Sequence, residues 1–126
     1  MNTSQDFPRQ GHVITAYQPE NPDPLRVAAG EEIMVSAKED PWQGNPAWIW
    51  VWCTDPRGKS AWSPANLLER DPARSERATA RYDYDAVELA VAAGEDVQIE
   101  REESGWYWCR NAQGQQGWVP IDHFLK

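Results

Sequence analysis

Residues 104–120 read SGWYWCRNAQGQQGWVP, and this stretch is the clearest indication of the fold. Two aromatic and apolar runs flank a polar segment that contains glycine, which is the pattern of a β-hairpin. Because side chains alternate along a strand, Trp106 and Trp108 share one face, and Tyr107 and Cys109 share the other. Cys109 is the small apolar member best suited to a core. The two tryptophans are therefore expected to face outward.

The same pattern occurs earlier in the chain. WVWC at 50–53 recurs as WYWC at 106–109, an offset of 56. LRVAAGEEI at 25–33 recurs as LAVAAGEDV at 89–97, an offset of 64. The difference of 8 places extra residues in the first copy, within AKEDPWQGNPAWI. Matching residue types at fixed spacing indicate a tandem duplication.

Each copy contains several short strands separated by turn residues. Five short strands in about 50 residues must curl into a small barrel to bury any apolar surface. The sequence thus predicts an all-β protein with two small five-stranded barrels in tandem. The expected division is an N-terminal tail at 1–11, a first domain at 12–68, a linker at 69–77 and a second domain at 78–126. The expected core of the second domain is Ala80, Leu89, Val91, Val97, Ile99, Cys109, Val119 and Phe124.

The net charge of the chain limits the kinds of molecule that it is expected to bind. The chain has 12 basic and 20 acidic residues, a net charge of −8. An acidic surface repels phosphate backbones and anionic lipids, which argues against nucleic acid and membranes and favours a basic peptide or protein. The N-terminal residues have neither a basic start nor an apolar stretch, and no run approaches the ~20 apolar residues of a membrane span. We expect a cytoplasmic protein.

No catalytic or metal-binding pattern is present in the sequence. Two cysteines and two histidines cannot supply a spaced zinc site. There is no GxSxG elbow and no phosphate-binding glycine loop. The sequence therefore predicts neither a cofactor nor a metal, and no enzyme activity.

Four segments of the second copy resemble the Src homology 3 (SH3) family. ARYDY at 80–84 resembles its Ala-Leu-Tyr-Asp-Tyr signature, and LAVAAGEDV its Leu-Ser-Phe-x-x-Gly-Asp segment. GWYW at 105–108 is similar to its Trp-Trp pair, and GWVPIDHF at 117–124 to its Gly-Tyr-Ile-Pro-Ser-Asn-Tyr-Val ending. The resemblance covers nearly all of 78–126, is looser in the first copy, and extends to SH3-like proteins of bacteria.

This resemblance implies a non-catalytic protein-binding module of the adaptor kind, which recognises a proline-rich peptide in the polyproline conformation. In the second copy it implies a groove made by Tyr82, Tyr84, Trp106, Trp118, Pro120 and His123, with Glu88, Glu102 and Glu103 attracting a basic ligand. In the first copy it implies a groove made by Tyr17, Trp50, Pro64 and Asn66, with Asp23 as the acid. The second groove is expected to bind better. Trp52 and Trp108 fall outside the grooves and are expected at an interface.

Two other functions fit the exposed tryptophans predicted here. One is a structural role, in which the tryptophan faces are buried between the copies or in a homodimer. The other is binding of glycans or cell-wall peptides. A buried Trp106 would favour the structural role.

Overall fold

A computed structural model describes residues 7–126. The strands are β1 (Arg9–His12), β2 (Arg26–Val27), β3 (Glu32–Pro41), β4 (Ile49–Thr54), β5 (Ser60–Pro64), β6 (Leu68–Asp71), β7 (Arg74–Ala80), β8 (Tyr84–Asp85), β9 (Asp96–Glu103), β10 (Trp106–Arg110) and β11 (Gln116–Pro120). Short 3-10 turns occur at Trp42–Gly44, Ala65–Leu67 and Ile121–His123. No α-helix occurs in the described residues, and the all-β prediction is confirmed.

The chain forms two compact units that do not follow the order of the repeat. The inserted unit is Pro22–Val87. The split unit joins Glu88–Lys126 to the N-terminal stretch that ends at Asn21. The chain therefore leaves the split unit after Asn21 and returns to it at Glu88. This grouping differs from the expected sequential domains at 12–68 and 78–126.

The split unit is built on the sheet β1-β9-β10-β11. Strand β1 pairs with β9, and two isolated bridges join the residues after β1 to other parts of the unit: Val13 lies opposite Phe124, and Tyr17 lies opposite Val91. Seven of the eight predicted core residues form the core here, which consists of Val13, Leu89, Val91, Val97, Ile99, Cys109, Val119 and Phe124. The exception is Ala80, whose place Val13 takes.

The inserted unit is built on the sheet β5-β4-β3-β7-β6 and a second ladder, β2-β8. Strand β7 lies between β3 and β6, with Ala78 opposite Ile33 and Ala80 opposite Leu68. All four of these side chains are buried. Ala80 thus belongs to the core of the inserted unit.

Residues 69–77, expected to be a solvated linker, form a β-hairpin between β6 and β7. Asp71 lies opposite Arg74, and its carboxylate accepts a 2.9 Å hydrogen bond from the amide of Ala73. Aspartate followed by proline, here Pro72, is typical of the first two positions of a tight turn. The alternating charges are largely the exposed side chains of this hairpin. The turn makes the last strand of the first copy a neighbour of the first strand of the second copy.

The N-terminal stretch also differs from the expected tail at 1–11. Residues 9–12 are β1, the edge strand of the split unit. Residues 1–6 lie outside the described residues.

The two first strands make equivalent hydrogen bonds in the two units. The amide of Val13 donates to the carbonyl of Glu95 at 2.9 Å. The amide of Ala80 donates to the carbonyl of Glu31, also at 2.9 Å. Each first strand therefore joins a unit in which most of the other strands come from the other copy of the repeat.

Candidate functional site

The split unit brings three aromatic side chains together. The ring of Tyr17 meets the indole of Trp106 edge to face, with centroids 5.8 Å apart and planes at 84°. It meets the imidazole of His123 in the same way, at 5.4 Å and 89°. Trp106 lies opposite Pro120 in the β10-β11 pair. Edge-to-face pairs of this kind stabilise a fixed arrangement of rings.

An acidic side chain lies beside this cluster. The hydroxyl of Tyr17 donates a 2.5 Å hydrogen bond to Oε1 of Glu88. Burial raises the pKa of Glu88, the bond from Tyr17 opposes that shift, and the charge of Glu20 adds to it. Burial, followed by the bond to Glu88, also raises the pKa of Tyr17, so its hydroxyl remains a donor at neutral pH. A carboxylate next to aromatic rings is suited to hold a cationic side chain.

His123 is fixed by the N-terminal stretch. Its Nδ1 atom donates to the carbonyl oxygen of Thr15 at 3.1 Å. Its Nε2 atom lies 3.9 Å from Oδ1 of Asp122. The imidazole is therefore held in place as the third ring of the cluster, and it is partly exposed.

The tryptophans expected to face outward are covered. Cys109 is fully buried in the core, so Trp106 does point away from the core as the alternation predicts. Trp106 is nevertheless only 9% exposed, and its counterpart Trp50 only 6%. The expectation that the ring of Trp106 stands free in solvent is wrong. For Trp106, the edge of Tyr17 is one of the contacts that cover the ring.

The inserted unit contains the other predicted groove residues, Tyr82, Tyr84, Trp50, Pro64 and Asn66. Tyr84 lies opposite Val27 in the β2-β8 ladder and is 3% exposed. Trp50 lies opposite Pro64. The two tyrosines expected beside Trp106 therefore belong to the unit of Trp50.

The remaining predicted acids differ in what they bind. Asp23 lies 3.3 Å from Nζ of Lys59 and 3.6 Å from Arg57. The hydrogen bond from Lys59 is the main reason that the pKa of Asp23 is lowered. Glu103 lies opposite Trp106 in the β9-β10 pair and accepts a 3.1 Å bond from the hydroxyl of Ser104. Asp23 is thus engaged by its own unit, whereas Glu103 is next to the aromatic cluster.

Trp52, placed outside the groove by the sequence, pairs with another tryptophan. Its ring lies 5.5 Å from that of Trp62, and Nζ of Lys38 lies 5.3 Å and 5.8 Å from the two centroids. This cation–π contact covers part of the pair, although Trp62 is still 38% exposed. The split unit repeats the arrangement with Trp108, Trp118 and Arg101.

The other chemically reactive groups do not form a site. Burial raises the pKa of Cys53 to about 11 and that of Cys109 to about 12, so both thiols are protonated at neutral pH. Within residues 7–126, no group of histidine, cysteine and acidic side chains could hold a metal ion. None of these residues forms a helix long and apolar enough to cross a membrane.

One part of the chain matches a known protein family. Residues 79–121 match the SH3 domain. The match covers about a third of the chain, begins in β7 of the inserted unit and continues through β11 of the split unit. No curated protein and no solved structure matches the chain. SH3 domains are in general non-catalytic modules that bind peptides or proteins.

Proposed function

We propose that both units are SH3-like barrels and that the split unit binds an extended, proline-containing, basic peptide. The observation that carries this proposal is the cluster of Tyr17, Trp106 and His123 with the carboxylate of Glu88 at its side. The cluster combines aromatic faces for proline rings with an anionic group for an arginine.

The physical basis of recognition is the stiffness of the ligand. A polyproline segment has little conformational entropy left to lose, and its rings pack on aromatic faces. The acidic side chains and the net charge of −8 attract a basic segment. Because Trp106 is mostly covered, the peptide meets Tyr17, His123 and the rim of the indole. Binding through such a shallow surface is expected at roughly micromolar affinity or weaker.

The split unit is a better candidate than the inserted unit. In the inserted unit, Trp50 and Tyr84 are both more deeply buried than Trp106. Its predicted acid, Asp23, is held by Lys59 and Arg57. Glu88, in contrast, lies against the ring system that would contact the peptide.

Titration calorimetry with a proline-rich, arginine-containing peptide tests the proposal. Trp106→Phe keeps an aromatic ring in the packed position and removes the indole N–H, and we expect at least fivefold weaker binding, about 1 kcal/mol. Trp108→Phe, two residues along the same strand, is the matched control and should leave the affinity unchanged. Equal affinities for the wild type and Trp106→Phe would exclude this cluster as the binding surface.

The burial of Trp106 and Trp50 favours a second candidate, a structural role of the tryptophan faces. In that case, the full chain gives no heat signal with proline-rich peptides at millimolar concentration. Trp106→Ala then lowers the unfolding free energy by about 3–5 kcal/mol and has no other effect.

A further inference from the structure

We use the term binding segment for the two stretches of the split unit that carry Tyr17 and Glu88. In the sequence, the inserted unit lies between these two stretches. Tyr17 and Val91 are joined by two backbone hydrogen bonds, of 2.9 Å and 3.0 Å. The first part of this segment ends at Asn21, where the chain leaves the split unit, and the second part begins at Glu88. The 66 residues of 22–87, which are the whole inserted unit, connect the two.

The inserted unit holds its own two ends together. Arg26 lies opposite Asp85 in the β2-β8 ladder. The amide of Ala86 donates to the carbonyl of Leu25 at 3.0 Å. When this ladder is formed, only residues 22–24 and 87 remain between it and the split unit.

Loop closure makes this connection important for the binding segment. The probability that two chain ends meet falls as about the 3/2 power of the loop length. Between Tyr17 and Val91, the loop shortens from 73 residues (18–90) to 11 (18–24 and 87–90) when the inserted unit is folded. Pairing of Tyr17 with Val91 is therefore roughly 20-fold more favourable with a folded inserted unit than with an unfolded one.

We propose that the inserted unit is a clamp that closes the binding segment of the split unit through the chain connections alone. With residues 22–87 folded, Tyr17 and Glu88 are held side by side; with them unfolded, the pair opens and the site loses its acid. The functional meaning of the clamp rests on the proposed peptide binding. The clamp itself can be measured without any peptide.

Amide hydrogen exchange, followed by NMR on the full chain, tests the clamp. Val51→Ala removes a fully buried side chain of the inserted unit and lowers the stability of that unit. We expect the amides of Tyr17 and Val91 to lose protection in parallel with the β3-β4 ladder, while the β10-β11 ladder keeps its protection. The clamp is overturned if Tyr17 and Val91 remain protected when the β3-β4 amides exchange.

A urea experiment and a peptide titration complement the exchange measurement. If Val51→Ala does not fold, the wild-type chain in rising urea gives the same comparison between the same amides. In a peptide titration, the Val51→Ala chain should bind up to roughly 20-fold more weakly as its inserted unit unfolds. The two proposals can fail separately. If the Tyr17 and Val91 amides lose protection in parallel with the β3-β4 ladder but the wild type binds no peptide, the proposed function is contradicted and the clamp is retained.

Discussion

The hydroxyl of Tyr17 donates a 2.5 Å hydrogen bond to Glu88, although 71 residues separate the two in the chain. Tyr17 comes from the first copy of the repeat and Glu88 from the second. The pair shows that the candidate site of the split unit contains residues from both copies.

Replacement of Glu88 by glutamine should weaken the binding of an arginine-containing peptide. The variant retains an acceptor for Tyr17 but removes the negative charge, so we expect a roughly tenfold loss of affinity. Glu69→Gln makes the same change of charge in the inserted unit and serves as the control. The effect should vanish when the peptide's arginine is replaced by glutamine; an equal loss with both peptides would contradict the assigned role of Glu88.

Asp55 should contribute to stability at neutral pH. Its buried carboxylate accepts bonds from the amides of Arg26, Arg57 and Lys59 and pairs with the guanidinium of Arg57 at 3.0 Å. Burial alone would raise the pKa of Asp55, but these donors outweigh it and leave the pKa below its usual value. Asp55→Ala should lower the unfolding free energy by about 2–4 kcal/mol at pH 7, because the donors lose their acceptor.

The pH dependence of this effect follows from the lowered pKa. A carboxylate with a lowered folded pKa stabilises above its unfolded pKa, about 3.9, and this stabilisation is lost as the pH falls through the folded pKa. Urea denaturation of the wild type and Asp55→Ala at several pH values should show a gap that is largest near pH 7 and narrows below about pH 4. A gap that stays constant with pH would contradict this account of Asp55.

Gly117→Ala should disturb the split unit. A Cβ atom at this position would lie 2.6 Å from the amide nitrogen of Leu89 and 2.7 Å from the carbonyl carbon of Glu88. These are backbone atoms that cannot move aside cheaply, so we expect a loss of about 1–3 kcal/mol. The inserted unit has Ala61 at the equivalent position, and Ala61→Gly is the matched control in urea denaturation. A loss no larger than that of the control would show that the strand pair tolerates a side chain here.

Cleavage of the hairpin turn should leave the two halves of the chain associated. A protease site introduced between Pro72 and Ala73 separates β1 from the other strands of the split unit, and β7 and β8 from the other strands of the inserted unit. Because each unit then consists of strands from both fragments, the cut protein should elute as one species on gel filtration. Elution of two separate folded domains would mean that each copy of the repeat folds on its own strands.

The sequence predicted the cores well but not the origin of the strands. Alternation along β10 and β9 was sufficient to identify Cys109, Val97 and Ile99, because burial of one face depends only on local pattern. The choice between Val13 and Ala80 could not be made in this way. Both are small apolar residues at equivalent positions, and both strands fit either unit.

The sequence feature that assigns Val13 and Ala80 to their units is the turn between β6 and β7, and this turn is easily mistaken for a linker. The Asp71–Pro72 turn forces β6 and β7 to pair, yet its charged flanks resemble a solvated linker. The candidate site was predicted in part for the same reason: Glu88, Trp106 and His123 do lie together, whereas the tyrosine beside them is Tyr17. The burial of Trp106 depends on tertiary contacts, and alternation along a strand says nothing about these.

An NMR titration of the full chain with a proline-rich, basic peptide shows which residues of the chain contact the peptide. We expect saturable shifts of the indole N–H of Trp106 and of the backbone amides of Tyr17 and Glu88, with little change at Trp50 and Tyr84. Shifts centred on Trp50 and Tyr84, or no shifts at millimolar peptide, would contradict the proposed peptide binding by the split unit.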